Sequence, residues 1–196
     1  MCMDSDRPVL PDGMSVDDFI VLLAYLPDEA PVDPQLRHLA ALDLSGMALH
    51  TLPPALGRLT GLHTLNVADN QLTVLPDEIC GLSALRGLLV WGNRLAALPD
   101  RFGALRRLEM LYAWDNCLTA LPESIGALTA LEDLNVACNP IERLPSSIGG
   151  LRSLMWINLW DTSITELPPE IGGLRRLQTL KVEGCALGEL PAEVGL

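Results

Sequence analysis

Apolar residues recur along most of this chain with a period of 23 residues. Within each unit, aliphatic side chains return at the first, fourth, sixth, eleventh and fourteenth positions, and proline follows at the fifteenth. The seven copies begin at Leu39, Leu62, Leu85, Leu108, Leu131, Leu154 and Leu177. Because the copies keep register without an insertion, we predict that each forms the same structural unit and that successive units stack on one another.

The start of each unit predicts a short β-strand. Its LxLxx segment alternates apolar and polar residues, which is typical of a strand with one buried face. Strands of equal-length units should lie side by side in parallel, about 4.8 Å apart. The proline cannot donate a ladder hydrogen bond, so we expect it on the irregular convex side. No single unit can bury its leucines, and stacking must supply the core.

The ninth position of the unit predicts an internal polar ladder. It holds asparagine in four copies, at Asn70, Asn93, Asn116 and Asn139. A buried asparagine must find hydrogen bonds, and the backbone of the turns above and below can provide them. Met47, Thr162 and Cys185 occupy this position in the remaining copies. We expect the ladder to stop at these three residues.

The N-terminal segment, residues 1–38, carries no repeat. Its stretch SVDDFIVLLAYL predicts a helix that Ser15 and Asp18 cap, with Phe19, Leu22, Leu23 and Leu26 on one face. We interpret it as a helix that covers the first repeat, with an independent docking helix as the alternative. The residues before it are expected to be mobile.

The predicted domain organisation therefore has two parts. Residues 1–38 form a mobile segment and a capping helix, and residues 39–196 form seven repeats, the last one truncated. No polar cap follows the last repeat, although terminal repeats usually need one. The sequence leaves three explanations open: a missing continuation, an end-to-end homodimer, or a final turn that suffices.

Aromatic residues are few but are placed non-randomly. All four tryptophans fall at positions predicted to face the concave side of the strands. Large aromatic side chains are enriched in binding hot spots, so we predict a protein-binding surface there. The alternative is that the rings only stiffen the array. The predicted protein-binding residues are Leu89, Trp91, Met110, Tyr112, Trp114, Asp115, Asp133, Trp156, Asn158, Trp160 and Asp161.

The net charge and the spacing of the reactive residues exclude several classes of function. A net charge of −12 argues against nucleic acid and against anionic membranes as partners. The five cysteines form no CxxC pair, which fits a reducing compartment better than a disulfide framework. No residues show the spacing of a metal site, a nucleophile–base pair or a phosphate loop. We predict no cofactor, no metal and no enzymatic activity.

The stretch LNVADNQLTVLPDEICGLSAL, Leu65 to Leu85, resembles the 23-residue class of intracellular leucine-rich repeats. That class includes Ras-binding scaffolds, plant relatives and bacterial effectors. The resemblance implies an α/β solenoid, a right-handed horseshoe with a parallel concave sheet that recognises proteins. It also implies a cytoplasmic protein, or one secreted into a host cytoplasm as the target-binding part of an effector. Self-association through the last repeat is the alternative function.

Overall fold

The computed structural model describes residues 15, 18–21, 36, 38–189 and 192. Seven strands form one parallel sheet in the order β1 to β7, which is also their order in the chain. The strands are β1 Ala41–Asp43, β2 Thr64–Asn66, β3 Gly87–Leu89, β4 Met110–Tyr112, β5 Asp133–Asn135, β6 Trp156–Asn158 and β7 Thr179–Lys181. Each residue pairs with the one 23 positions later, as Leu42 does with Leu65. The predicted solenoid with a parallel sheet is confirmed.

Short 3-10 helices form the side of each repeat opposite the sheet. Their bounds are Pro54–Arg58, Asp77–Gly81, Phe102–Ala104, Glu123–Ala127, Ser146–Gly150 and Pro169–Gly173. A repeat proline directly precedes five of them, at Pro53, Pro76, Pro122, Pro145 and Pro168. Proline suits this place because its φ is fixed near the helical value and no ladder hydrogen bond is required of it. The convex placement predicted for proline is therefore confirmed at these positions.

Glycine lets neighbouring convex turns approach closely. A Cβ atom at Gly57 would lie 1.9 Å from the main-chain oxygen of Glu78, and one at Gly103 would lie 2.1 Å from that of Ser124. Any side chain would therefore push the repeats apart on this side. The glycine of the repeat pattern sets the spacing of the convex side against that of the sheet.

The core lies between the sheet and the 3-10 helices. In the inner repeats the repeat leucines are fully buried, as at Leu88, Leu111 and Leu134. In the last described repeat Leu180 and Val182 are only partly buried. The first six repeats thus bury one continuous core, as stacked repeats do.

The asparagine ladder is present as predicted. Asn116 accepts the N–H of Leu95 at 3.0 Å and donates to the carbonyls of Val90 and Ala113 at 3.0 and 3.2 Å. Asn70, Asn93 and Asn139 make equivalent bonds in their own repeats. Each amide therefore connects two neighbouring turns and satisfies backbone groups that water cannot reach.

The C-terminal end of this ladder corrects our expectation. Thr162 is buried, and its hydroxyl donates to the carbonyl of Leu159 at 2.9 Å. The thiol of Cys185 donates to the same carbonyl at 3.0 Å. The ladder does not stop at Thr162 and Cys185 but continues with fewer bonds, because a hydroxyl or thiol is shorter than an amide and has a single hydrogen.

At the N-terminal end, residues 18–21 are helical. The Ser15 hydroxyl accepts the N–H of Asp18 at 3.1 Å and donates to its carboxylate at 2.6 Å. This is the reciprocal cap that the sequence predicts. Phe19 is fully buried in the core of the array. Leu22, Leu23, Leu26 and residues 1–14 lie outside the described residues, so the division at residue 38 stays a prediction.

Candidate functional site: the open face of the sheet

Strands β1 to β6 bury their middle residue, and the first and last residues of each strand lie on the opposite side of the sheet from the core. These residues, together with the seventh and eighth positions of each repeat, form what we call the open face. In a leucine-rich-repeat horseshoe this is the concave side. Because the strands are in register, equivalent residues of successive repeats form columns about 4.8 Å apart. All eleven predicted binding residues lie on the open face.

Two tryptophans form a stack at its centre. The rings of Trp91 and Trp114 lie 4.7 Å apart between centroids with an interplanar angle of 5°. Because this separation matches the distance between neighbouring strands, the two ring planes lie roughly perpendicular to the axis along which the repeats stack. Both side chains remain half-buried rather than covered. The stack therefore stiffens the sheet and still presents aromatic surface to solvent.

The rest of the aromatic surface lies on the following repeats. Trp160 is 49% exposed and Met110 is 37% exposed, which is unusual for side chains this large. Trp156 is half-buried, and the Nζ of Lys181 lies 5.5 Å from the centroid of its ring. Lys181 is the single lysine of the chain. A cation–π contact therefore already occupies one side of Trp156.

Tyr112 and Asp133 form a polar pair between these aromatic groups. The Tyr112 hydroxyl donates to Oδ2 of Asp133 at 2.8 Å, and Oδ1 is buried without a partner among the described residues. Burial, then the hydrogen bond and charge of Asp133, raises the pKa of Tyr112 to about 12. Burial also raises the pKa of Asp133, against the opposing effect of the hydrogen bond from Tyr112. The hydrogen bond joins the pair, and partial desolvation raises the pKa of both members.

The seventh column is not uniformly exposed. Ala68 is fully buried and Ala137 is 3% exposed, whereas Trp91, Trp114 and Trp160 of the same column reach solvent. A methyl group is short enough to be covered by its neighbours. Ala137 is therefore a short, covered position between Trp114 and Trp160 in this column.

The fifth column has a structural function that the sequence interpretation missed. Asn66, Asn135 and Asn158 each accept, through Oδ1, the N–H of the residue two positions later, at 3.0–3.2 Å. Asp43 does the same for Ser45 at 2.9 Å. Asn158, predicted as a binding residue, is therefore already engaged by the N–H of Trp160. Short amide and carboxylate side chains favour this local bond.

Two central repeats lack this acceptor. Leu89 and Tyr112 occupy the fifth position there, and neither can accept the N–H two residues on. Within the described part of the chain, the N–H groups of Trp91 and Trp114 have no hydrogen-bond acceptor. Two main-chain donors are thus unpaired beside the tryptophan stack. The signal was visible in the sequence, because Leu89, Tyr112 and Lys181 stand in a column that otherwise holds Asn or Asp.

The eighth column has a backbone explanation that the sequence interpretation did not give it. Asp69, Asp115 and Asp161 have φ values of 52–55°, and Gly92 has 66°. Glycine and aspartate both tolerate this left-handed conformation, which accounts for their alternation. The three carboxylates are nevertheless exposed and have no cation or donor among the described residues. They form an acidic column beside the tryptophan column.

The pKa of Cys138 is affected by the charges of this acidic column. It lies between Asp115 and Asp161 in the eighth position, and its φ is 52°. Burial first, and then the charges of Asp161 and Asp115, raises the pKa of its thiol. The negative charges of the column therefore disfavour the thiolate form of Cys138.

The described residues offer no metal site and no membrane-spanning helix. Within those residues no group of three His, Cys, Asp or Glu side chains could hold a metal ion. No helix in the described ranges is long and apolar enough to cross a membrane. Cys80, Cys117, Cys138 and Cys185 are free thiols.

Comparison with known proteins agrees with this geometry. Residues 34–119 match the leucine-rich repeat region family. No curated protein matches the chain in sequence. A leucine-rich-repeat protein from Leptospira interrogans is similar in structure, with 28% identity, a TM-score of 0.64, and coverage of 83% of this chain and 48% of that one.

Two plant receptors are also similar. The ectodomain of the membrane receptor kinase GASSHO1 from Arabidopsis thaliana, in complex with CASPARIAN STRIP INTEGRITY FACTOR 2, has 28% identity and a TM-score of 0.67 over 82% of this chain and 20% of that one. The plant peptide hormone receptor RGFR1, in complex with RGF2, has 27% identity and a TM-score of 0.62 over 80% and 30%. The chain spans less than half the length of each of these three proteins.

Residues 34–119 are therefore a leucine-rich repeat region, and the described repeats have the leucine-rich-repeat fold. The matched family and the similar structures are repeat proteins, as the sequence predicts for this chain. The narrower 23-residue intracellular class remains a resemblance.

Proposed function

We propose that the open face binds a protein ligand through its aromatic centre. The observation that carries the proposal is the stack of Trp91 and Trp114, with Trp160 and Met110 exposed beside it. An exposed group of large apolar side chains is costly in water unless a partner covers it. Aromatic anchors of this kind supply much of the energy in protein interfaces. The plant receptors with similar folds, which are described in complex with named ligands, support the same interpretation.

An affinity comparison tests this proposal. The bait would be the wild-type chain beside a variant with Trp91→Ala, Trp114→Ala and Trp160→Ala. A matched control would carry Val21→Ala and Val74→Ala, which remove exposed apolar groups elsewhere. We expect a partner that binds the wild type and the control and is lost from the tryptophan variant. Circular dichroism would verify that all three are folded. Equal retention on all three baits would refute the proposal.

We further propose a biological setting, in which the chain is the target-binding part of a bacterial effector that acts in a host cytoplasm. The resemblance to effector repeats and the similar protein of Leptospira interrogans support it. A fusion to a reporter that is active only in host cytosol would test it during infection. A signal from a secretion-competent strain, absent from its secretion-deficient counterpart, is expected. Equal absence from both strains would reject this setting.

Self-association is a second candidate function, favoured by one observation. Leu177, Leu180, Val182 and Leu187 of the last described repeat are only partly buried, whereas their counterparts in inner repeats are fully buried. A second copy could cover them. Sedimentation over a wide concentration range would test this, with Leu187→Glu as the variant. A mass that rises with concentration and falls in the variant supports it, and a monomer at every concentration rejects it.

A further inference from the structure

We propose that the ligand segment held by the open face is a basic, proline-rich peptide in the polyproline II conformation. It would lie along the array, across the strands, from the second repeat to the sixth. This inference rests on the proposed function and specifies the chemistry of the partner. Three independent features of the face carry it.

The first feature is the pair of unpaired donors. The N–H groups of Trp91 and Trp114 lack the side-chain acceptor that Ala68 and Ala137 have in their own repeats. A buried or covered donor must find an acceptor, so a ligand that covers this region should present one. A polyproline II segment leaves all its carbonyls free, because it has no internal hydrogen bonds. Proline adds no competing donor of its own.

The second feature is the short side chain of Ala137, which lies between two tryptophans of the seventh column. Trp114 and Trp160 lie two repeats apart in one column, about 9.6 Å at the usual strand spacing. A proline ring placed over Ala137 would lie about 4.8 Å from each column position, close to carbon–carbon contact. Aromatic walls around a proline-rich segment are a recurrent mode of peptide recognition.

The third feature is the period of the acids. Asp69, Asp115 and Asp161 lie in one column at every second repeat, about 9.6 Å apart. A polyproline II helix rises about 9.3 Å per turn of three residues, so every third side chain would meet a carboxylate. Each carboxylate is exposed and without a cation among the described residues. Arginine or lysine at every third position is the complementary pattern.

Other backbone conformations fit this period less well. In a β-strand, residues three apart point to opposite faces, so alternate cations would be directed away from the acids. In an α-helix the nearest matching interval is seven residues, about 10.5 Å, and its main-chain carbonyls are already paired along the helix. Only the polyproline II conformation offers both the period and the free carbonyls.

A nine-residue peptide provides the direct test, with arginine at every third position and proline at the other six. Its binding to the full chain would be followed by calorimetry and by tryptophan fluorescence. A peptide of the same composition, with its three arginines adjacent at one end, controls for net charge. We expect the periodic peptide to bind at least about tenfold more tightly, since only it can engage three separate acids. Equal affinity of the two peptides would overturn the proposed period.

Charge-only variants locate the contact. Asp69→Asn, Asp115→Asn and Asp161→Asn together remove the acidic column, and asparagine tolerates the same left-handed backbone. The control variant carries Asp77→Asn, Asp100→Asn and Glu123→Gln on the convex side, so the net charge changes equally. We expect the first variant to lose about tenfold or more in affinity and the control to lose little. Equal losses would mean that only the net charge attracts the peptide, and would refute the site.

A near-isosteric exchange tests the free donors. Leu89→Asn would place an acceptor two residues before Trp91, as Asn66 does for Ala68. Leu89→Ala removes the same apolar side chain without adding an acceptor. We expect the asparagine variant to bind the periodic peptide several-fold more weakly than the alanine variant does. Equal binding by both variants would exclude a role for the Trp91 N–H.

The outcomes separate this inference from the proposed function. If no peptide binds while a protein partner is still lost from the tryptophan variant, the peptide chemistry is wrong and the recognition function stands. If the periodic peptide binds equally well after Trp91→Ala and Trp114→Ala, the aromatic centre is not the binding surface, and both proposals fail.

Discussion

The two central repeats and their immediate neighbours share one backbone but present different surfaces. In the repeats of Asn66 and Asn135, a short amide accepts the N–H of a buried alanine, and the open face is locally closed. In the repeats between them, Leu89 and Tyr112 provide no such acceptor, and Trp91 and Trp114 replace the alanines. The neighbours satisfy their own hydrogen bonds, whereas the centre leaves two donors and two rings for something else. A departure from the repeat pattern is therefore more informative here than the pattern itself.

The largest effect should come from breaking the ladder that both regions share. Asn116→Ala would leave the N–H of Leu95 without an acceptor and would remove one of the two amide donors to the carbonyls of Val90 and Ala113. We expect the free energy of unfolding to fall by about 3 kcal/mol, since each unmade buried bond costs its desolvation. Urea denaturation followed by circular dichroism would measure it. A loss no larger than that of an exposed surface substitution would contradict the ladder's role.

An exchange between the two regions should have a smaller effect. Asn135→Leu removes the acceptor of the Ala137 N–H, and we expect it to lower the free energy of unfolding by about 1 kcal/mol. Leu89→Asn should be about 1 kcal/mol more stable than Leu89→Ala, because it gains the missing bond. Chemical denaturation of the three variants would give both differences. If Leu89→Asn and Leu89→Ala unfold together, the Trp91 N–H has no need of an acceptor.

The tryptophan stack should contribute a comparable amount. A double-mutant cycle of Trp91→Ala and Trp114→Ala should give a coupling of about 1 kcal/mol, the usual value for an aromatic pair. Trp91→Ala with Trp160→Ala provides the control cycle, since these residues are three repeats apart and should be additive. A larger coupling in the control would show that the rings act through the fold and not through contact.

The smallest effect concerns Tyr112, which distinguishes the centre by its titration. Its folded pKa is raised to about 12 from 10, so the folded state holds its proton more tightly than the unfolded state. Its contribution to stability should be complete below pH 10 and be lost as the pH rises through about 12. Phenolate absorbance of wild type and Asp133→Asn would follow it. The variant should titrate earlier, because the hydrogen bond and charge of Asp133 are gone. Identical titration curves would contradict this pairing.

Much of the fold could be predicted because each repeat has the same pattern of leucine, asparagine and proline positions. Leucine spacing predicted the strands, proline the convex side, and Asn70, Asn93, Asn116 and Asn139 the ladder. The prediction that the ladder stops was wrong at Thr162, where a hydroxyl replaces the amide as donor. Such a hydrogen bond depends on distances between atoms, which cannot be derived from the residue type alone. The positions of the aromatic residues were predicted, but the details of the site were not. Asn158 bonds its own backbone, and the aspartates of the eighth column suit a left-handed turn.

The sequence by itself determined the periodicity, and with it the parallel sheet, the buried leucines and the columns on the open face. These follow from local spacing, because a strand alternates and equal repeats stack in register. Only the tertiary structure decided which column members are covered and which main-chain donors stay unpaired. Whether the N–H of Trp91 has an acceptor depends on side chains within a few ångströms. The same distances decide whether Ala137 is covered and whether Lys181 lies over Trp156. Such contacts are set when repeats close on one another.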